Sequence, residues 1–273
     1  MVTRKPAVAG SWYPGSAGAL ASAVDGYLEL AGDAEPRLGA ITAIVSPHAG
    51  LMYSGPIAAY AYRTLQTHAF DVAVLVGPSH FIPFDGVAIH RSGGFETPLG
   101  VAAVDEECSA ALIAAAPAVH ERPAAHLREH SLEMQLPFLQ RVAPAVRIVP
   151  LLMGRQTAET ARALGEALAA VLRGRRSLLI ASTDLSHYYD ARTAVKLDAV
   201  VIDHLARMDV DGLQQALDVR PEHACGGGPT VAVLAAAKRL GARAATILKY
   251  GDSGDVSGDK SSVVGYVAAA IGA

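Results

Sequence analysis

A single α/β domain is predicted, with a central mixed, largely parallel β-sheet flanked by helices. Short runs of Val, Ile and Leu without polar alternation are typical of strands buried on both faces. Segments of helical period lie between these runs, and this alternation indicates helices that cover a sheet. Of the 273 residues, 51% are hydrophobic and only 5% are aromatic, which favours a large aliphatic core.

Seven strands and seven helices are predicted along the chain. The predicted strands are residues 40–45, 72–76, 86–90, 146–153, 177–181, 244–250 and 262–268. The predicted helices are residues 18–30, 56–65, 105–115, 131–141, 158–172, 193–208 and 229–240. Thr157 and Ser131 are expected to cap helices, and Pro229 suits a first helical position.

Composition and motifs exclude several classes of protein. No repeat or linker divides the chain, so residues 1–273 are expected to form one domain. The net charge of −3 and the short basic runs predict no nucleic-acid partner. No apolar run approaches the roughly 20 residues of a membrane span, and no signal peptide is indicated. With two cysteines, too few for a disulfide scaffold, a cytoplasmic location is expected.

Three predicted strands are each followed by small or turn-forming residues and then by a histidine. These histidines are His48, His80 and His187. Because ligands bind beyond the carboxyl ends of strands in open α/β sheets, the three could converge on one site. One such histidine alone is more often a turn or core residue, but three favour a functional site, most directly a metal centre. The histidines without this context are expected to lie mostly at the surface: His68, His90, His120, His126, His204 and His223.

Cys225 opens a Cys-Gly-Gly-Gly-Pro sequence ahead of a predicted helix rich in Ala, Val and Leu. The glycines allow close approach of the backbone, and a helix N-terminus favours negative charge. Both effects are expected to depress the pKa of the thiol, which suits a thiolate ligand or a nucleophile. The alternative is a glycine-rich turn around a buried, inert cysteine. Cys108 is expected to be a structural or surface thiol.

Carboxylates and a further histidine accompany these motifs. Glu129 and His130 precede the expected cap Ser131, where they could reach a pocket or only favour the helix dipole. Asp184 could orient a neighbouring histidine or form a local turn. The acidic stretch 250–259 lacks the closing Glu of a calcium-binding EF-hand loop, so a flexible loop between two strands is expected there.

The motifs in this order resemble the Memo family, often labelled AmmeMemoRadiSam system protein B in prokaryotes. The matching segments are residues 4–14, 47–50, 53–55, 77–80, 129–133, 182–188, 225–226 and 263–266. That family is similar in fold to class III extradiol ring-cleaving dioxygenases, which are non-haem iron(II) enzymes. Its eukaryotic members are described as signalling proteins with metal-dependent redox roles.

The resemblance implies that His48, His80 and Cys225 occupy the metal-ligand positions, with Asp184 and His187 beside them. Iron(II) is the expected ion, and copper or zinc are alternatives. The dioxygenases use two histidines and a carboxylate, whereas this chain has a cysteine at the third position. Because a thiolate favours Cu(I) or Zn more than a carboxylate does, metal binding carries over more securely than ring cleavage.

Three functions are compatible with these residues. The leading hypothesis is a mononuclear, iron-dependent, dioxygenase-like redox enzyme acting on a small molecule such as an aromatic compound. In this scheme His187 moves a proton, while Asp184 and Glu129 polarise their neighbours. The second hypothesis is a metal-free hydrolase with Cys225 as nucleophile, His187 as base and Asp184 as orienter. The third is a non-catalytic module that binds copper, a peptide or a partner protein, with Trp12 and Tyr13 on a recognition surface.

Overall fold

A computed structural model describes residues 3–32 and 38–273 of the chain. Its strands are β1 (Thr3–Arg4), β2 (Ile41–Ser46), β3 (Val72–Pro78), β4 (Val87–Ile89), β5 (Gly94–Thr97), β6 (Gly100–Ala103), β7 (Val119–Glu121), β8 (Arg147–Met153), β9 (Ser177–Ser182), β10 (His187–Tyr189), β11 (Ala244–Asp252) and β12 (Val263–Gly272). Its α-helices are α1 (Ala17–Leu30), α2 (Leu51–Arg63), α3 (Glu106–Ala115), α4 (Pro123–His126), α5 (Leu136–Val142), α6 (Ala158–Leu172), α7 (Ala191–Ala206), α8 (Val210–Val219), α9 (Gly227–Arg239) and α10 (Gly254–Ser257). Two 3₁₀ turns span Glu133–Gln135 and Pro221–His223.

The seven predicted strands are present as β2, β3, β4, β8, β9, β11 and β12. The strands that were not predicted, β1, β5, β6, β7 and β10, have two to four residues each, too few to show a hydrophobic pattern. Helix α6 has the predicted bounds, whereas α2 begins at Leu51 rather than at residue 56 and continues through Pro56. Helix α8 was not predicted, because only Leu213 and Leu217 of its ten residues are buried and the apolar pattern is therefore weak. The acidic stretch 250–259 is not a simple loop, since β11 extends to Asp252 and α10 follows.

Two of the three predicted helix starts are wrong. Thr157 caps α6 as expected, because its side chain accepts a hydrogen bond from the Thr160 backbone N–H at 3.1 Å. Ser131 caps no helix, since its hydroxyl donates instead to the carbonyl of Pro78 at 2.9 Å. Pro229 is the third residue of α9 rather than the first, because the helix already begins within the preceding glycines.

The main sheet is mixed, with a parallel centre. Its strands lie in the order β10-β12-β2-β9-β3-β8-β4-β7, and β11 pairs with β12. Strands β2, β9, β3 and β8 are parallel neighbours, while β12 and β4 run antiparallel to β2 and β8. The predicted α/β architecture with a mixed, largely parallel centre is therefore confirmed.

Helices cover both faces of this sheet. Along β2, Ala43 and Val45 belong to one buried cluster, together with apolar residues of α3, α6, α7, α8 and α9. Ile44 belongs to a second cluster on the other face, with residues of α1, α2 and α5. Successive side chains of a strand point to opposite faces, so two buried faces require the continuous apolar runs seen in the sequence. Across the described residues, no helix combines the length and the apolar character needed to cross a membrane.

A small second sheet, β1-β5-β6, holds the N-terminal segment against the body of the domain. Buried Arg4 forms an ion pair with buried Glu133. Glu133 also accepts hydrogen bonds from the backbone N–H groups of Ala7 and Val8, at 2.8 and 3.1 Å, and from the Tyr13 hydroxyl at 2.6 Å. Because one carboxylate accepts hydrogen bonds from all these donors, the N-terminal segment is held in place as far as Tyr13.

Candidate metal centre

The predicted site residues lie at one edge of the main sheet. His48 follows β2, His80 follows β3, and Asp184 and His187 follow β9. These three strands are parallel neighbours, so their carboxyl ends meet at the same edge. Cys225 reaches this edge from the loop before α9, since its backbone N–H donates to the Asp184 carbonyl at 3.2 Å. Residues separated by up to 177 positions are thereby brought together.

Two imidazoles and one thiol form a group that could hold a metal ion. One donor atom each of His48, His80 and Cys225 lies within 4.8 Å of the other two. The Cys225 sulfur is 3.3 Å from Nε2 of His48, and the two imidazole centroids are 5.3 Å apart. The set that the family resemblance implied is therefore brought together, and its role as the ligand set remains a prediction.

The hydrogen bonds behind His48 determine which of its ring nitrogens is protonated. The Ser182 hydroxyl donates its proton to the Ser131 carbonyl at 2.6 Å and accepts from Nε2 of Gln135 at 2.8 Å. Its oxygen lies 2.9 Å from Nδ1 of His48, so it can only accept there. Nδ1 must therefore carry the proton, and Nε2 presents a lone pair towards Cys225. Burial, with neighbouring histidines, holds the pKa of His48 well below its usual range and keeps the ring neutral.

Glu129 performs the same task for His80. Its Oε1 lies 2.9 Å from Nδ1 of His80 and accepts the backbone N–H groups of His130 and Ser131. Its Oε2 accepts the backbone N–H of His80 at 2.5 Å. Burial alone would raise the pKa of Glu129. The hydrogen bonds and proximity of His80, together with a hydrogen bond from the Ser131 backbone, lower it instead to about 2. The carboxylate is therefore ionised and accepts a hydrogen bond from Nδ1–H of His80.

A second group of potential ligands overlaps the first. Ligand atoms of His80, Glu129 and His130 also lie within 4.8 Å of one another. However, Glu129 already accepts four hydrogen bonds, three on Oε1 and one on Oε2, so only Oε2 keeps a lone pair for another partner. Glu129 is thus a support for His80. The sequence indicated only that His130 could reach a pocket. In the structure its ring stacks on that of His80, with 4.6 Å between the ring centroids.

The expectation of a depressed thiol pKa at Cys225 is wrong for the metal-free protein. Burial raises the pKa of this thiol, and the neighbouring Asp184 carboxyl raises it further. Hydrogen bonds from the backbone of Asp184 and Gly226 and from the Thr183 side chain lower it by less than this rise. The Asp184 backbone N–H does donate to the sulfur, at 3.3 Å. The glycines act by space instead, since a Cβ at Gly226 would lie 2.4 Å from the Ser182 carbonyl oxygen.

Asp184 connects the loops that carry two of the potential ligands. Its Oδ1 accepts the backbone N–H of His48 at 2.7 Å, and its own backbone holds Cys225. Burial raises the pKa of Asp184 to about 7, although hydrogen bonds from the backbone of His48 and Ala49 oppose the rise. Its contacts are with His48 and Cys225 rather than with the His187 side chain.

His187 lines the same cavity from the opposite wall. Its Nδ1 lies 2.8 Å from the carbonyl oxygen of Leu185, which can only accept, so the proton is on Nδ1 and Nε2 is free. Burial lowers the pKa of His187. Tyr188 next to it has a left-handed backbone (φ 65°), which directs its ring outwards, where it is 77% exposed.

The cavity has a volume of about 420 Å³. It is lined by Trp12, His48, Ala49, His80, His130, Asp184, His187, Tyr188, Cys225 and Val264. Trp12 packs at 4.3 Å against His130, whose pKa burial lowers to about 4. The cavity is therefore lined by four imidazoles together with aromatic and aliphatic side chains.

Several supporting residues gave little signal in the sequence. Ser182 and Gln135 look like ordinary strand and helix residues, and only the strand order places them behind His48. The expectation that the remaining histidines are mostly superficial is wrong for half of them. His90, His126 and His223 are buried, at 5%, 1% and 5% exposure.

Comparison with known proteins gives one consistent result. A family model described as Memo-like protein matches residues 4–270. A MEMO1 family protein of Methanothermobacter thermautotrophicus is 38% identical over 271 residues, covering 96% of this chain and 98% of that protein. Another, from Methanosarcina mazei, is 41% identical over 271 residues, with 98% of each chain covered. An uncharacterized Escherichia coli K12 protein of known crystal structure shares the fold, with a TM-score of 0.57, 17% identity, and coverage of 86% of this chain and 100% of that one.

Proposed function

Because the chain belongs to the Memo family, we propose that it is a mononuclear metal-dependent redox enzyme whose ion is held by His48, His80 and Cys225. One observation carries this proposal. Both imidazoles have Nδ1 committed to an acceptor, and one ring nitrogen of each lies within 4.8 Å of the other and of the thiol sulfur. Ligating histidines usually donate their other ring N–H to such an acceptor, which fixes the ring and its tautomer.

The donor set fits a borderline transition-metal ion. Two neutral imidazoles and one thiolate suit iron(II), copper or zinc better than magnesium or calcium. Iron(II) is the first choice, because the sequence motifs resemble a family that is similar in fold to non-haem iron(II) enzymes. With three protein donors, a bound ion could still take a further ligand such as water or a substrate, which is typical of catalytic rather than structural sites.

Redox chemistry would come from the bound ion, and the surrounding side chains would prepare the substrate. His187 is neutral, with Nε2 unprotonated, so it can accept a proton from a substrate hydroxyl. Glu129 and Asp184 act behind the ligands: one polarises the His80 ring and the other holds the His48 backbone. The substrate is a small molecule with an apolar or aromatic part, since Trp12 and Val264 line the rim of the cavity.

The direct test is metal analysis of protein prepared without oxygen. The native chain should retain close to one equivalent of transition metal, with iron predominant. The variants His48→Ala, His80→Ala and Cys225→Ala should each lose most of it, because each removes one of three donors.

Matched controls separate ligand loss from general damage. Cys108→Ala removes a buried thiol away from the cavity, and His120→Ala removes an exposed imidazole. Both should retain the metal. A native protein without metal, or equal metal content in all five variants, would contradict the proposal.

A copper-binding, non-catalytic module is the second candidate, and one observation favours it. Cys225 provides a soft thiolate where the dioxygenases have a carboxylate, and thiolates select Cu(I). Oxygen consumption distinguishes the two functions. Iron-loaded protein should consume oxygen with at least one member of a panel of catechol-like substrates, whereas a module should bind Cu(I) tightly and consume none.

The geometry does not support a thiol hydrolase. Cys225 contacts His48 rather than His187, and burial raises its thiol pKa, so little thiolate forms without a metal ion. The Asp184 side chain accepts from the backbone of His48 and does not orient an imidazole.

A further inference from the structure

Asp198 on α7 is a buried carboxylate that the proposed function does not use. It is fully buried, although burial of a carboxylate is costly unless hydrogen bonds compensate it. Its Oδ1 accepts the backbone N–H of Ser186 at 2.9 Å, and its Oδ2 accepts the Tyr250 hydroxyl at 2.7 Å. Both oxygens act as acceptors, as in an ionised carboxylate, and these hydrogen bonds oppose the rise in the pKa of Asp198 that burial causes.

One peptide group connects this carboxylate to the imidazole of His187. The Ser186 N–H and the Leu185 carbonyl belong to the same planar peptide unit. Asp198 binds the N–H end of this unit, and Nδ1 of His187 donates to the carbonyl end at 2.8 Å. A hydrogen bond to a charged acceptor polarises an amide and makes its carbonyl oxygen a stronger acceptor.

We propose that Asp198 is a positioning residue that acts on His187 through the Leu185–Ser186 peptide group. The carboxylate, the peptide and the imidazole form a bridged dyad. This dyad holds the proton on Nδ1 of His187 and keeps Nε2 as the proton acceptor towards the cavity. The inference deepens the proposed function, because it rests on His187 as the residue that moves a proton.

The backbone around the dyad is built to keep it rigid. The Leu185 N–H donates to the Gly265 carbonyl at 2.8 Å, and the Gly265 N–H donates to the Ser186 carbonyl at 2.9 Å. A Cβ at Gly265 would lie only 1.9 Å from Oδ2 of Asp198, so only glycine leaves room for the carboxylate. The bridging peptide is therefore clamped between α7 and β12.

The groups that act on His187 come from three elements. Burial lowers its pKa, the Leu185 carbonyl raises it, His80 from the loop after β3 lowers it, and Asp198 from α7 raises it. Asp198 itself faces Tyr250 of β11. Loss of the Asp198 charge should therefore lower the pKa of His187 further and weaken the bond that selects its tautomer.

The test is an NMR titration of the full-length protein labelled with ¹⁵N-histidine, with the His187 signals assigned from a His187→Gln variant. Native His187 should titrate from a neutral form protonated on Nδ1. In Asp198→Asn the pKa of His187 should fall by roughly 0.5 or more, and the Nε2-protonated tautomer should appear. Asp198→Glu should restore part of the native pKa of His187 and part of the population protonated on Nδ1.

Tyr250→Phe is the matched control, because it removes the other hydrogen bond to Asp198 but keeps the charge and the Ser186 contact. It should leave the tautomer of His187 unchanged. Unchanged titration in a folded Asp198→Asn variant, or an equal change in Tyr250→Phe, would overturn the inference. An Nε2-protonated tautomer of His187 in the native protein would also overturn the inference, and this result does not depend on the folding of any variant. All these readouts are taken on metal-free protein, because a bound ion in the same cavity would itself shift the pKa of His187. Failure of the metal proposal is therefore recognised separately, by metal analysis.

Discussion

Individual side chains behind the candidate ligands define the chemistry of the cavity at the residue scale. Ser182 and Glu129 accept hydrogen bonds from Nδ1 of His48 and His80, so Nε2 of each ring is the atom left to bind a ligand. Isolated neutral imidazole can carry its proton on either nitrogen. The acceptors remove that freedom before any ligand arrives, which lowers the cost of binding an ion.

Glu129→Gln should weaken metal binding by about 10–100-fold, because an amide lacks the charge that polarises His80. Affinity can be measured by competition titration of the apo protein with Zn²⁺ and a chelating dye. Glu96→Gln is the matched control, since Glu96 pairs with exposed Lys5 at 2.5 Å. Equal affinity of the two variants would show that Glu129 has no part in the site.

Strand order and one helix decide, at the element scale, which motifs become neighbours. Strands β2, β9 and β3 are adjacent and parallel, and the loop before α9 packs onto the end of β9. The approach at Cys225 is close enough that Gly226 faces the Ser182 carbonyl oxygen without room for a side chain. The thiol position therefore depends on a glycine next to it.

Gly226→Ala should destabilise the protein by about 1–3 kcal/mol and displace Cys225, because the obstructing Ser182 atom belongs to the backbone. Chemical denaturation measures the first effect and metal content the second. Gly26→Ala in α1 is the matched control, since a Cβ there meets nothing within 4 Å. That variant should be more stable by about 0.5–1 kcal/mol, with metal retained. A Gly226→Ala protein as stable as the native chain would refute the close packing.

A second histidine cluster affects the stability of the whole molecule. His90 and His126 are buried beside Phe95, with Arg4 over the Phe95 ring. Burial, then the proximity of His90 and Arg4, lowers the pKa of His126 to about 3. The folded protein keeps this imidazole neutral at a pH where the unfolded chain, with a histidine pKa near 6.5, takes up a proton.

Stability should consequently fall as the pH falls below about 6.5, and His126 should contribute up to about 1.4 kcal/mol per pH unit until the pH nears 3. His126→Leu should reduce this slope, as measured by urea unfolding at a series of pH values. His120→Leu, at an exposed position, serves as the control and should keep the native slope. Identical slopes for the two variants would exclude His126 as a source of acid sensitivity.

The sequence predicted most of the fold and most of the candidate site. Long apolar runs and helical periods are local signals, and the main strands and helices followed them. The positions of His48 and His80 after strands are equally local, and parallel neighbours brought them to one edge. The short strands and the start of α2 had no such signal. They form through hydrogen bonds to residues distant in sequence rather than from a local apolar pattern.

The sequence by itself determined which residues could meet at the sheet edge, because strand ends and the glycines beside Cys225 can be recognised from neighbouring residues alone. Only the tertiary structure decided their chemical state. The tautomers of His48 and His80 depend on Ser182 and Glu129, which are 134 and 49 positions away from them. The pKa of Cys225 rises rather than falls because burial outweighs the helix N-terminus. Desolvation and hydrogen-bond partners arise from the packing of the whole chain, so no local motif contains them.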